Sequence, residues 1–307
     1  MGTPDFAVGI LQKLVEANKN IVGVITAPDK PAGRGRKLMQ SAVKKYALSQ
    51  DLKTLQPTNL KNEEFLNQLE SLNANLQIIV AFRMLPKVVW AMPKYGTFNL
   101  HASLLPKYRG AAPINWAIIN RETETGVTTF FIDENIDTGE VIAKSEIKIE
   151  SDETVGTLHD KLIDLGSDLV IHTVELIEQD NIQTQVQSTR ADIKEAPKLT
   201  SENTRIDWTL TSEEIDAFIR GLSPYPVAWS ILENNGEEMK VKIYKATTEN
   251  ESHNNGIGEL FISKKKMRVA VKGGYLDIKE IQLPGKRKME VSALLNGHSF
   301  NNNAKLL

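Results

Sequence analysis

Apolar residues recur every three or four positions in FAVGILQKLVEA (residues 6–17), a spacing that predicts an amphipathic helix. IVGVIT (21–26) and LQIIVAF (76–82) are short, mostly apolar runs that read as buried strands. SAVKKYALSQ (41–50) returns to the helical period, with Ser41 placed as an N-cap. GTFNLH (96–101) reads as another strand. TGVTTFFI (125–132) and GEVIAKSEIKI (139–149) read as two more in a hairpin-like relation. Strands alternating with helices predict an α/β fold, a Rossmann-like open and mostly parallel sheet, with its site at the carboxyl ends of the strands. A long amphipathic pattern covers 154–178, and its His159 and His172 read as surface or core-edge residues.

A polar stretch with Pro197 follows at 183–202 and reads as a linker. Beyond it the pattern changes. AWSIL, KVKIYKAT, GIGELFI, MRVAVKGG and YLDIKEIQL are short strands separated by Gly and Asn turns, which predicts a small OB-like β-barrel. The expected organisation is a catalytic domain over 1–182, a linker over 183–202 and a barrel domain over 203–307. ENESHNNG (249–256) and the NNNAKLL end are expected to be mobile. No internal repeat is visible.

Composition narrows the possibilities. The 307 residues are 41% hydrophobic and 25% charged, with a net charge of -2, so any polyanion must be held by a local basic patch rather than by the whole field. The absence of cysteine excludes disulfides, thiolate nucleophiles and Cys-based zinc sites, and fits a reducing compartment. No apolar run reaches membrane-spanning length, and no charged leader precedes a long apolar core. The expectation is a cytoplasmic protein with no membrane partner, working as a monomer.

FNLHASLLPKYRG (98–110) carries the candidate chemistry. Residues i and i+2 of a strand share a face, so Asn99 and His101 project together. A second loop, FFIDENIDTGEVI, starts where an apolar strand stops and carries Asp133 and Asp137. An amide, an imidazole and a carboxylate converging at strand ends could form a general acid-base site: the carboxylate orients the ring and the amide donates to a developing oxyanion. No Ser or Cys nucleophile accompanies them, which favours direct transfer. From spacing alone, a capping Asn, an interior His and a turn Asp remain an open alternative. One His with scattered carboxylates is not a metal ligand set, so no metal is expected. The segment APDKPAGRGRKLMQSAVKK places Lys30, Arg34, Arg36 and Lys37 on a glycine-bracketed loop suited to phosphate contacts. KKKMR adds Lys264, Lys265 and Lys266, and GKRK adds Lys286, Arg287 and Lys288.

GTPDFA, APDKPAGRGRKLM, FNLHASLLPKYRGAAPI, IDTGEVI, RIDW and GLSPYPVAW together resemble the methionyl-tRNA formyltransferases, a branch of the folate-dependent formyltransferase family, over nearly the whole chain. The resemblance implies 10-formyltetrahydrofolate as donor and the α-amino group of methionyl initiator tRNA as acceptor. It places Asn99, His101 and Asp137 at the catalytic positions. It puts the folate against Phe82, Arg83, Met84 and Leu85, against Ile132 and Asp133, and against the Ser103, Leu104, Leu105 and Pro106 segment. It assigns the tRNA to the Lys30–Lys37 loop, with Arg34 toward the acceptor end, and to the basic residues of the barrel. Family chains carry a short strand before GTPDF, and here the sequence starts at the Met just before the Gly. The expectation is that this form is less stable, and less active, than one extended by a few residues. AFRMLPK is one residue shorter than the commonest family version, which bears on the pterin pocket.

Two other functions share these features. A formyltransferase for a small amine, such as a ribonucleotide or an amino sugar, would use the same three residues without the basic loop. A nucleic-acid-binding module with an inactive catalytic domain would use the basic clusters alone.

Overall fold

The computed structural model describes residues 1–32, 37–188 and 193–307. In chain order, α1 (Asp5–Glu16), β1 (Val24–Ile25), β2 (Lys30–Ala32), β3 (Lys37–Met39), α2 (Ala42–Ser49), β4 (Thr54–Leu55), α3 (Glu63–Ser71), β5 (Gln77–Val80), α4 (Lys87–Trp90) and β6 (Thr97–His101) come first. Next are β7 (Arg109–Gly110), α5 (Pro113–Ile119), β8 (Glu124–Phe131), β9 (Val141–Lys148), α6 (Val155–Glu178), β10 (Glu195–Ala196) and α7 (Ser212–Leu222). The remainder is β11 (Ala228–Asn234), β12 (Glu237–Glu249), β13 (Leu260–Ile262), β14 (Met267–Val271), β15 (Gly274–Gln282), β16 (Met289–Glu290), α8 (Val291–Leu295) and β17 (Lys305–Leu306).

The chain forms two compact units. One comprises Met1–Gly110, Thr125–Ile147 and His159–Glu195; the other comprises Ala111–Glu124, Lys148–Leu158 and Ala196–Leu307. The first is α/β. Its four-stranded sheet has the order β5-β6-β8-β9, with β5 parallel to β6 and β6 antiparallel to β8. β1 pairs with β4 in parallel. Ile25, Leu55, Phe65, Leu69, Ile79 and Val89 form one apolar cluster of its core. Both N-caps that open α2 and α3 are side-chain oxygens: Ser41 Oγ accepts from Lys44 N and Asn62 Oδ1 from Phe65 N, each at 3.0 Å.

β1 is shorter than the run IVGVIT predicts, and the reason lies beside it. Met1 and Gly2 run between β1 and β5: Gly2 N donates to Ile25 O, Val80 N donates to Met1 O, and the α-amino group donates to Ile78 O at 2.6 Å. Behind Met1 a cavity of about 350 Å³, lined by Ile21–Ile25 and Leu76–Ile78 among others, separates the two strands. Strand geometry persists only where a neighbour supplies hydrogen bonds, and residues 21–23 face the cavity.

The second unit is a nearly closed antiparallel barrel of order β13-β14-β15-β12-β11-β17, with β16 added to β15. Closure is made at Gly258. Leu306 N donates to Gly258 O, and Glu259 bridges Lys305. Gly258 has φ of +85°, and a Cβ there would stand 2.2 Å from Leu306 O, so only glycine fits. The two segments expected to be mobile are tied down. Leu306 is buried against β11, and Ser230 Oγ donates to Leu307 O. In 249–256, His253 Nε2 bonds Gly274 O at 2.7 Å and Asn255 donates to Tyr275 Oη. Ala304 and Leu306 are buried on either side of the more exposed Lys305, a strand alternation against β11 that the Asn-rich approach concealed. α7 packs on α5, with Asn115 Nδ2 donating to Gly221 O at 2.8 Å.

Candidate active site

Asn99 and His101 lie on β6 opposite Phe130 and Thr128 of β8. β6 ends at His101, and the chain turns through Ser103–Gly110 over the end of the sheet. Three bonds fix that turn. Thr128 Oγ1 donates to Ser103 O at 2.6 Å and accepts from Leu105 N, and Ser103 Oγ donates to Lys107 O. Lys144 of β9 donates to Leu105 O; burial holds its ammonium below the ordinary lysine value, with Glu146 opposing.

The turn brings Tyr108 O to His101 Nε2 at 2.8 Å. A carbonyl only accepts, so Nε2 carries the proton and Nδ1 of the neutral ring is the basic atom. Nδ1 faces Asp137 Oδ2 at 3.8 Å, and both side chains are largely buried. Asp137 is anchored in turn, since Gly110 N donates to the same Oδ2 at 2.9 Å. Asn99 Oδ1 is buried with no hydrogen-bond partner. A buried unpaired amide oxygen costs on the order of 1–3 kcal/mol. An amide held that way beside an imidazole is positioned for a ligand that supplies the missing partner. The sheet therefore brings together the three residues singled out in the sequence.

Three backbones around the pair are left-handed: Tyr108 at φ of 59°, Asp137 at 54° and Gly110 at 122°. Non-glycine residues rarely adopt this region, and such conformations gather at functional sites where surrounding bonds hold them.

The other expected site residues divide into those with free outward groups and those spent on structure. Leu85, Ser103 and Leu105 are buried, so their side chains serve the interior. Arg83 gives its guanidinium to Thr58 O and Pro57 O. Asp133 closes its own turn, accepting from Thr138 Oγ1 at 2.8 Å and from Asn135 N. Phe82, Leu104, Pro106 and Ile132 are half-buried, and Met84 is 68% exposed. Among the described residues no group of His, Asp or Glu is placed to hold a metal ion.

The basic loop is a hairpin: β2 pairs antiparallel with β3, Lys30 opposite Met39. Lys30 is exposed, and Leu38 (71%) and Met39 stand out from the hairpin. Arg34, Arg36 and the Lys37 side chain lie outside the described residues. Lys44 is spent at the hairpin base on Asp29, 2.7 Å away; that bond is the largest cause holding the Asp29 carboxyl below its ordinary value. In the barrel, Lys264, Lys265, Lys286 and Arg287 are exposed. Lys266 is held by Glu249 at 3.1 Å, and Lys288 by Glu280 at 2.6 Å. These carboxylates reduce the net charge that either cluster presents.

Sequence reasoning missed the groups that hold the triad: the Tyr108 carbonyl, the Gly110 N–H, Lys144, Arg109 and Gln187. Backbone groups leave no residue-type signal, and Gln187 sits in a stretch whose composition reads as a linker.

Comparison with known proteins identifies the family. Residues 1–174 match the formyl transferase family, and residues 198–299 match the C-terminal domain of formyl transferases. The chain is 59% identical over 306 residues to a methionyl-tRNA formyltransferase of Flavobacterium johnsoniae, covering 100% of this chain and 97% of the relative. It is 50% identical over 311 residues to that of Bacteroides thetaiotaomicron, with the same coverage. Among solved structures, an N-formyltransferase from Helicobacter canadensis in complex with folinic acid and dTDP-3-aminofucose shares the fold. Its TM-score is 0.65 at 22% identity, over 94% of this chain and 97% of that one. A fold of one α/β unit and one barrel, a buried Asn-His-Asp cluster and matches across both units converge: the chain belongs to the formyl transferase family.

Proposed function

We propose that this protein transfers a formyl group from 10-formyltetrahydrofolate to the α-amino group of methionine esterified to initiator tRNA, for translation initiation. The observation that carries the chemistry is the buried Asn99 amide beside a His101 ring whose Nε2–H is committed to Tyr108 O and whose Nδ1 faces Asp137. The relatives' full-length identity carries the acceptor.

The donor supplies an activated formyl carbon. Asn99 lines the amine and the formyl group up: its Oδ1 accepts an amine N–H, and its Nδ2 donates to the oxygen that becomes negative in the tetrahedral centre. His101 Nδ1 takes the proton shed by the attacking nitrogen. Asp137 stands against the ring charge that results. The bond from the formyl carbon to the folate nitrogen breaks as that nitrogen gains a proton, so no proton is lost or gained overall. The 82–85 and 132–137 segments form the wall for the pterin. The basic segment of the β2–β3 hairpin meets the acceptor end of the tRNA, and the exposed barrel lysines meet its phosphates. The protein works as a monomer in the cytoplasm, where the charged tRNA is made; among the described residues no helix is long and apolar enough to cross a membrane.

The test is formyl transfer to methionyl initiator tRNA set against transfer to an amino sugar nucleotide, with wild type and Arg34→Ala. Transfer to tRNA that drops with Arg34→Ala supports the reading. Transfer to the small amine, indifferent to Arg34, replaces it with the small-amine function. No transfer to either acceptor overturns it.

A further inference from the structure

The Asn-His-Asp cluster is held from a segment far away in sequence. Gln187 is buried at 8% exposure, and every polar atom of its amide is used. Nε2 donates to Asp137 O at 3.0 Å and to Gly139 O at 2.8 Å. Oε1 accepts from Arg109 NH2 at 2.8 Å and from Arg109 Nε at 3.3 Å. Two residues earlier, Gln185 and Val141 exchange both backbone bonds, at 2.8 and 2.9 Å, which locks the register of this segment against β9.

The two elements that Gln187 joins are those that touch the catalytic pair. On one side is 108–110, whose Tyr108 carbonyl holds His101 Nε2 and whose Gly110 N–H holds the Asp137 carboxylate. On the other is the 137–139 turn, which carries that carboxylate. Hydrogen bonds and the chain itself run from His101 through Tyr108, Arg109 and Gln187 to Asp137, whose carboxylate faces His101 Nδ1 at 3.8 Å. Tyr108 and Asp137, both left-handed, lie on this path, and left-handed Gly110 donates to the Asp137 carboxylate beside it. Asp137 holds a left-handed backbone, which Asp tolerates better than most residues, and its carbonyl is one of the two that Gln187 caps. Gly139 is fixed on the same account, since a Cβ there would stand 1.7 Å from Phe131 O.

We infer that Gln187 is a positioning residue: through Arg109 and the 137–139 turn it sets the separation of Asp137 from His101, and with it the turnover rate. This rests on the proposed function for its kinetic side only. Gln187→Met keeps the length and volume and removes all four bonds. The expected result is a fall in kcat of roughly 10- to 100-fold, the effect of a misplacement of about 1 Å, with KM for the donor within about twofold. Gln187→Glu, which still accepts from Arg109 but cannot donate to the two carbonyls, falls with it.

A readout independent of activity decides the matter if the acceptor is wrong. The ring ¹⁵N resonances of His101 should shift in Gln187→Met while those of His159 and His172 stay in place. A merely structural glutamine would lower the melting temperature, leave kcat unchanged and leave the His101 resonances unmoved, and that result overturns the inference. Loss of wild-type transfer with the His101 shift retained would overturn the proposed function and leave Gln187 as the positioning residue.

Discussion

In a chain that starts at Met1, burial of the α-amino group makes stability depend on pH in a way that can be worked out. The Met1 ammonium lies between β1 and β5, beside the cavity, and burial pulls it from its ordinary 8.0 down to about 5. The folded value lies below the unfolded one, so between these values the unfolded chain binds more protons and stability rises with pH. At about 1.4 kcal/mol per unit of displacement, the full penalty is about 4 kcal/mol. It is present almost entire at about pH 5, falls to about 1.4 kcal/mol at pH 7 and vanishes above about pH 8. Acetylating the amine removes the charge and with it this slope. Chemical unfolding of the free and acetylated chains gives the assay. The acetylated chain should be more stable by an amount that shrinks by about 2 kcal/mol or more between about pH 5 and pH 8. Because other titrating groups are common to both forms, they cancel. A difference between the two forms that does not change with pH refutes the buried ammonium.

The same cavity predicts that four or five β-branched residues added before Met1 raise the melting temperature, since they would pair with both β1 and β5 and fill apolar space; an unchanged transition argues that the strands do not accept them. Thr211→Ala should cost about 1 kcal/mol, because Thr211 caps α7 reciprocally with Glu214. A Thr211→Ser variant that restores the loss in thermal unfolding assigns it to the cap. Gly258→Ala should destabilise the barrel by about 1–3 kcal/mol from φ alone, and by more from the approach to Leu306 O, read as early exchange of the β11 and β17 amides. Asp137→Asn keeps a side chain able to accept from Gly110 N but removes the charge beside His101. Formyl transfer should fall by about 10²- to 10⁴-fold with melting temperature nearly unchanged.

Legibility in the sequence followed the physics of each part. The α/β unit and the barrel were readable because buried strands such as QIIV and MRVAV are short and predominantly apolar, and because Asn99 and His101 share a strand face by spacing alone. Asp137 was readable as a carboxylate at a strand end. α7 carried a readable signal that went unused, the T-x-x-E capping box at Thr211 and Glu214. The shortened β1 was not readable, since a strand's length depends on whether a neighbour fills both sides. Nor was the strap from 185 to 187, because a glutamine in a polar stretch acquires its role only from the carbonyls that tertiary structure brings to it. The barrel lysines at 266 and 288 looked free in sequence; their carboxylate partners, Glu249 and Glu280, lie on other strands.

The most direct test of the catalytic assignment is formyl transfer from 10-formyltetrahydrofolate to methionyl initiator tRNA by wild type and His101→Ala, in buffer cleared of metal by a chelator, with donor binding measured alongside. The expected result is transfer by wild type that survives chelation and falls by about 10²- to 10⁴-fold in the variant, with the donor still bound within a few-fold. Undiminished transfer by His101→Ala would contradict the role of the imidazole and remove the basis of the site.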